Sequence, residues 1–180
     1  LPRFEREPVI STFALDGPPW NNPELLRALS GALNRGWLAG ALFGGRAEPC
    51  GPIPPVHDGW TAAMDGIPGY APDPAAEAAE ARARWQAAGG PAFGAVTIDF
   101  PSIFDPLYSA SSVVTERLNE VLGDQFRPAV ETYTLISQRV ADGYYGNGRA
   151  AFWFGWSPAL PSPDPTAWFA DTYQPGALLS

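Results

Sequence analysis

The sequence is poor in the residue types that bind metals, cross-link chains and attract phosphate. Its 180 residues hold one cysteine, Cys50, and one histidine, His57, and all 11 basic residues are arginine. A lone cysteine closes no intrachain disulfide, so cysteine usage leaves the redox compartment open. One cysteine and one histidine cannot supply the closed nitrogen and sulfur shell of a structural zinc, so no metal site is expected. No apolar run approaches the ~18 residues that mark a membrane span. The opening LPRFEREPV is charged and has no apolar stretch, so no signal peptide is read in it. That irregular start, and the end at ALLS, read as those of a piece cut from a longer protein. Positive charge is also scarce: 19 acidic residues against 11 basic ones give a net charge of −8. Nucleic acid and anionic membranes are disfavoured partners, because phosphates call for a basic patch. The absence of lysine, beside alanine-rich runs, reads as genomic base bias.

What remains is the composition of a globular domain. Hydrophobic residues make up 46% and include seven tryptophans, which excludes a disordered tail. At ~150 residues per domain the chain makes one, long enough to bury about 70% of its unfolded surface. Glycine (19) and proline (21) are abundant but short of low complexity.

Strand and helix signals alternate. Val9 to Leu15 reads as a strand ending on Asp16-Gly17-Pro18-Pro19. Asn22 caps a helix with Pro23 at its first position and Glu24 in its first turn. Leu25, Leu29 and Leu33 repeat every four residues, with Leu26 alongside, and form its apolar face. A short helix carries Trp37, Leu38 and Leu42 up to Gly44-Gly45. The Pro/Gly-rich stretch from Arg46 to Pro72 is longer than most loops. Its Ile53, Val56, Trp60, Met64 and Ile67 are expected to pack over a core. Asp73-Pro74 opens a third helix, with Glu80 and Arg84 paired at i,i+4 and a Gly89-Gly90 stop. Phe93 to Phe100 reads as a strand. Ser111 or Ser112 caps a helix burying Val114, Leu118, Val121 and Leu122 and leaving Glu116, Arg117 and Glu120 wet. Ala129 to Thr134 is the next strand, Leu135 to Ala141 a short helix, Ala150 to Trp156 the last clear strand. Asp164-Pro165 opens a terminal helix. The order predicts an α/β domain.

Several residues admit a structural and a chemical reading. In Phe152-Trp153-Phe154-Gly155-Trp156, alternation sends Phe152, Phe154 and Trp156 to one face and Trp153 to the other. Phe152 and Phe154 suit a strand buried on both sides. Trp156 stands where the strand leaves the sheet, the place where ligands gather in open α/β sheets. Its indole offers a stacking face and one N–H donor. Asp99 is either a turn residue or a strand-end carboxylate that holds a ligand amine or hydroxyl. Asp73, Asp105 and Asp164, each before proline, read as caps or turns. His57, in a Pro-rich loop without a nucleophile motif nearby, reads as a loop residue. Gly143-Tyr144-Tyr145-Gly146-Asn147-Gly148 lacks the lysine and helix of a phosphate loop and reads as a flexible turn with two exposed tyrosines. Cys50 has no basic neighbour to make it reactive.

The order of these pieces resembles that of the family 5 extracellular solute-binding proteins, the peptide- and nickel-binding components of ABC importers. The resemblance runs over about residues 10–172 and rests on five pieces. These are Pro19-Trp20, Arg27-Ala28-Leu29 with Asn34-Arg35, Gly51 to Pro55, Tyr70 through Gly89, and Gly155-Trp156 with Asp164-Pro165. It implies the mixed sheet flanked by helices of a type II periplasmic-binding-protein lobe. Members are far longer and two-lobed, so the chain is expected to be most of the C-terminal lobe, without the N-terminal lobe and the final return segment. Peptide binders of the family carry an aspartate three residues after the tryptophan for the ligand's ammonium; here that residue is Ala159. Asn34-Arg35 stands where the family has Asp-Arg, a change read as local capping.

The resulting expectation is a non-catalytic solute-binding lobe, needing no cofactor, for an oligopeptide, oligosaccharide or other neutral solute. Its ligand contacts are expected at Trp156, with Trp153, Ser157 and Asp99 as lesser ones. The resemblance also implies an ABC permease as partner of the full receptor, and a periplasmic or extracellular location. The exposed half-cleft of an isolated lobe would favour self-association. Two other classes stay open: an interaction domain that keeps the fold and uses its Pro-rich loops, and a small acidic glycosidase using Asp99 with Glu131.

Overall fold

The computed structural model describes residues 9–15, 17–47, 49, 66–102, 107–146 and 148–156, of which 9–12, 14, 107–109 and 153–156 are described through the backbone alone. Nine regular elements and one 3-10 turn follow in order. They are β1 (Val9–Ala14), α1 (Pro23–Ala32), α2 (Arg35–Phe43), α3 (Pro74–Ala87), the 3-10 turn Gly90–Phe93, and β2 (Val96–Pro101). Then come α4 (Leu107–Leu122), β3 (Phe126–Glu131), α5 (Tyr133–Ala141) and β4 (Arg149–Trp156). The strands form one sheet in the order β1-β4-β2-β3. β2 is parallel to both β3 and β4, and β1 is antiparallel to β4. The expected mixed sheet is therefore present, with β4 inserted between the first strand and the second.

The helices start where the cap residues place them. The Asn22 side chain accepts from the Glu24 N–H ahead of Pro23, and the Asp73 carboxylate accepts from Ala75 and Ala76 ahead of α3. Leu25, Ala28, Leu29 and Ala32 fall on one face of α1 and are buried, whereas Leu26 is turned partly to solvent. With Ala81 and Trp85 of α3 and Val114, Leu118 and Val121 of α4, they cover Val96, Ile98, Phe100, Phe126 and Phe152 of the sheet. Fully burying each large side chain is worth about 1.5–3 kcal/mol, so this face carries most of the stability. Trp85 lies 5.6 Å from the Phe126 ring, and its indole is roofed by Gly90. A Cβ at Gly90 would come within 2.2 Å of that indole, so only glycine fits there.

Asn34 does more than cap. Its Oδ1 accepts from the Trp37 N–H at the start of α2, and its Nδ2 donates to Ala71 O at 2.8 Å and to Glu77 Oε2 at 2.6 Å. The other oxygen of this buried glutamate accepts from the Gly69 N–H. An amide, not a carboxylate, is therefore the group that fits beside Glu77.

Seven expectations need correction. β2 starts at Val96, not Phe93, because Phe93 closes the 3-10 turn and Gly94, at a φ of 66°, separates it from the strand. β3 starts at Phe126, not Ala129, because Phe126 is buried in the core and Thr132 is spent capping α5 through the Leu135 N–H. α4 starts at Leu107, ahead of Ser111, with Ala110 already buried. Arg117 is buried, not wet: its Nε donates to Ala32 O and its guanidinium lies over Trp37. Ile67 is 45% exposed and does not pack over the core. Tyr145 is buried and only Tyr144 is exposed. Leu26 leaves the apolar face of α1, as noted above. The positions of Cys50, His57, Asp105 and the Asp164 helix lie outside the described residues.

The strand ends create the feature that matters next. β2 pairs with β4 only from Thr97↔Arg149 to Asp99↔Ala151. β2 ends two residues later at Pro101, while β4 continues to Trp156 with β1, among the described residues, alone beside it and Val9 opposite Trp156. The stretch from Phe152 to Trp156 is about 16 Å of strand at ~3.3 Å per residue. The two central strands therefore part in a fork at the carboxyl end of the parallel sheet.

Candidate functional site

Within the fork, β4 shows a free edge. β1 takes the backbone groups on one side, and among the described residues no strand faces the other side beyond Ala151. In an antiparallel pair, alternate residues turn their N–H and C=O away from the partner. Such groups can bind the backbone of an extended chain, or the hydroxyls and amides of another polar molecule. Two of the expected contact residues belong to this stretch. Trp153 pairs with Thr12 and Trp156 with Val9, at the very end of the strand. Ser157 lies outside the described residues.

Asp99 sits at the base of the fork, in the last pair between β2 and β4. Its side chain is fully buried and already engaged. Arg139 Nη1 of α5 donates to Asp99 Oδ2 at 2.5 Å and to Glu131 Oε1 at 3.4 Å. The Tyr145 hydroxyl donates to the same Asp99 Oδ2 at 3.1 Å. Arg149, the first residue of β4, stands with Nη2 3.5 Å from Asp99 Oδ1 and donates from Nη1 to the Tyr144 hydroxyl at 2.9 Å. Burial, and then the neighbouring Asp99 carboxylate, push the Tyr145 phenol well above its ordinary pKa. Burial works against the Arg139 charge, but Asp99 outweighs it and the net shift is upward. The phenol stays neutral and the guanidinium charged at any working pH.

This arrangement does not suit glycoside hydrolysis. Asp99 and Glu131 share one guanidinium and Asp99 is closed to solvent, so neither is poised as acid or base against a water. Sequence reasoning missed Arg139, Tyr145 and Arg149. No local signal marks them, since Asp99 stands 40 residues from Arg139 and 46 from Tyr145.

Two concavities lie away from the fork. A groove of about 100 Å³ between α1 and α3 is lined by Arg27, Ile67, Glu80 and Arg84. A bowl of about 470 Å³ at the amino ends of β2 and β3 is lined by Gly94, Gly123, Gln125 and Arg127. Among the described residues, no group of three or more His, Cys, Asp or Glu side chains could hold a metal ion, and no helix is long and apolar enough to cross a membrane.

The architecture is that of a periplasmic-binding-protein lobe, as solved structures demonstrate. No family model and no curated protein matches the sequence. The periplasmic binding protein DppA of Helicobacter pylori, solved with the peptide STSA, superposes with a TM-score of 0.67 at 21% identity over 89% of this chain. The substrate-binding protein CtaP of Listeria monocytogenes gives 0.71 at 18% over 96%. MoaA of A. tumefaciens R10, in complex with mannopinic acid, gives 0.66 at 17% over 93%. The matched part is 29%, 35% and 32% of those three chains, so this chain spans about a third of their length. At such identities the likeness concerns the fold.

Proposed function

We propose that the chain is most of the C-terminal lobe of a two-lobed solute-binding protein that delivers its ligand to an ABC permease outside the cytoplasmic membrane. The observation that carries this reading is the free edge of β4, ending in Trp156 at the open end of a sheet whose fold recurs in binding proteins. The solute lies along that edge, with Trp156 stacking on it and Trp153 and Ser157 beside it. A second lobe closes over it about a hinge, and the binding free energy shifts the open–closed equilibrium that the transporter senses.

A neutral solute, such as an oligosaccharide or a short peptide without a strongly held ammonium, fits best. Ala159 supplies no carboxylate, and Asp99, the buried acid at the fork, is already paired with Arg139. A charged amine left unpaired in such a site would cost several kcal/mol, on the order of the penalty for a buried ion without a partner. Trp156→Ala in the two-lobed protein is expected to weaken binding by about tenfold or more, as loss of a central aromatic anchor does, with the thermal midpoint unchanged. Tryptophan-independent calorimetry reads both quantities, and an unaltered affinity removes Trp156 from the site.

A further inference from the structure

Among the described residues, two buried polar atoms at the base of the fork have no hydrogen-bond partner: Asp99 Oδ1 and Arg149 Nε. They belong to side chains that already face each other. Arg149 Nη2 stands 3.5 Å from Asp99 Oδ1, beyond the ~2.7–2.9 Å of a charge-assisted hydrogen bond. The guanidinium is held back on its other side. Its Nη1 donates to the hydroxyl of Tyr144, a residue 45% exposed, and its central carbon lies 5.5 Å from that ring. Arg149 is thus divided between an exposed phenol and a buried carboxylate, and each side keeps one orphan atom.

We propose that Asp99 and Arg149 form a clasp across the seam between β2 and β4, half open in this structure, which closes when solute seats on the β4 edge. This rests on the solute reading of that edge. Closure is a rotation of the guanidinium from Tyr144 toward Asp99, and it gives Nε–H and Oδ1 the partners they lack. The other carboxylate oxygen is fixed by Arg139 and Tyr145, so Oδ1 is the atom left to receive Arg149. α5 and β2 hold the carboxylate, and the Arg149 side chain is the part that moves, its backbone being held opposite Thr97. The clasp runs from the first β2–β4 pair, at Arg149, to the last, at Asp99, and so braces the ladder up to the point where the strands part. Asp99 is then a positioning residue, acting on the solute through β4 and not by touching it.

Tyr144→Phe removes the competing acceptor from an exposed side chain without disturbing the core. Hydrogen exchange at the amides of 150–156 in the full-length protein, together with calorimetric titration of N-acetyl-trialanine amide and maltotriose, reads the outcome. The clasp predicts slower exchange in Tyr144→Phe and solute binding tightened by about threefold, since a pre-closed state no longer taxes affinity. Asp99→Asn is expected to do the opposite on both readouts. Should Asp99→Asn fail to fold, Tyr144→Phe carries the test alone. Exchange unchanged in Tyr144→Phe overturns the clasp, and slowed exchange with unchanged affinity overturns its coupling to solute. A wild-type protein that binds neither probe overturns the solute reading instead, while the exchange comparison still judges the clasp.

Discussion

One face of the sheet is held by shape and the other by charge. On the first, α1, α3 and α4 press Leu25, Leu29, Trp85, Val114 and Leu118 against the strands, and the buried polar contacts, Asn34 with Glu77 and Arg117 with Ala32 O, join helix to helix and not to the strands. On the second, α5 packs Ile136, with Tyr133 and Val140 partly buried beside it, into a small apolar cluster with Tyr145 and Ala151, and next to it lies the network of Asp99, Arg139, Glu131 and Arg149. Apolar contacts are non-directional and tolerate small displacements. Ion pairs and hydrogen bonds at low dielectric are directional, and they fix one arrangement or switch between two. The helix-covered face therefore stabilises the lobe, and the charged face sets the geometry at its open end.

Substitutions on each side sharpen this contrast. The largest loss is expected from Trp85→Ala, which empties a fully buried indole site and should cost about 3–5 kcal/mol in chemical denaturation. Asp99→Ala leaves the Arg139 guanidinium without its buried partner and should cost about 3 kcal/mol, the scale for breaking a buried pair. A loss below about 1 kcal/mol would mean that Glu131 and solvent suffice for Arg139. Asn34→Asp replaces a donor to Glu77 with a second carboxylate and should cost about 1–3 kcal/mol. Asn34→Ser, which keeps the cap without the added charge, should cost less.

The smallest effect is one of pH. The Tyr145 phenol is raised in the folded protein above its ordinary value of 10.0. Its contribution is therefore complete below about pH 10 and is lost as pH rises beyond it, because the unfolded chain ionises first. Urea midpoints of the wild type and Tyr145→Phe should keep a constant gap up to about pH 10 and draw together from about pH 10 upward. A gap that stays constant above about pH 10 would place the hydroxyl in a more solvated setting than the structure gives it.

Much of the helix-covered face is legible in the sequence, since caps and periodicity are local signals. Asn22-Pro23, Asp73-Pro74 and the leucine spacing of α1 each act within a few residues. The charged face is not local. Asp99 meets Arg139 across 40 residues and Tyr145 across 46, and no spacing rule joins them. β3 was misplaced by three residues because it is an edge strand with Pro128 inside, a residue that argues against a strand until the edge is known. Asn34 stood out as a departure from the resembling family. Its reason, Glu77, lies 43 residues away. Trp153 and Trp156 reached the β4 strand that the aromatic run foretold.

Under the proposed function, this lobe holds solute in company with a second one. The most direct test of that reading is tryptophan fluorescence with thermal shift of the complete two-lobed protein against neutral oligosaccharides, short peptides and metal chelates, with the present chain as the one-lobe control. Saturable quenching with a raised melting temperature in the complete protein, weak or absent in the single lobe, is the result predicted. No response to any of these ligands, with a protein partner captured through the Pro-rich loops instead, would contradict it.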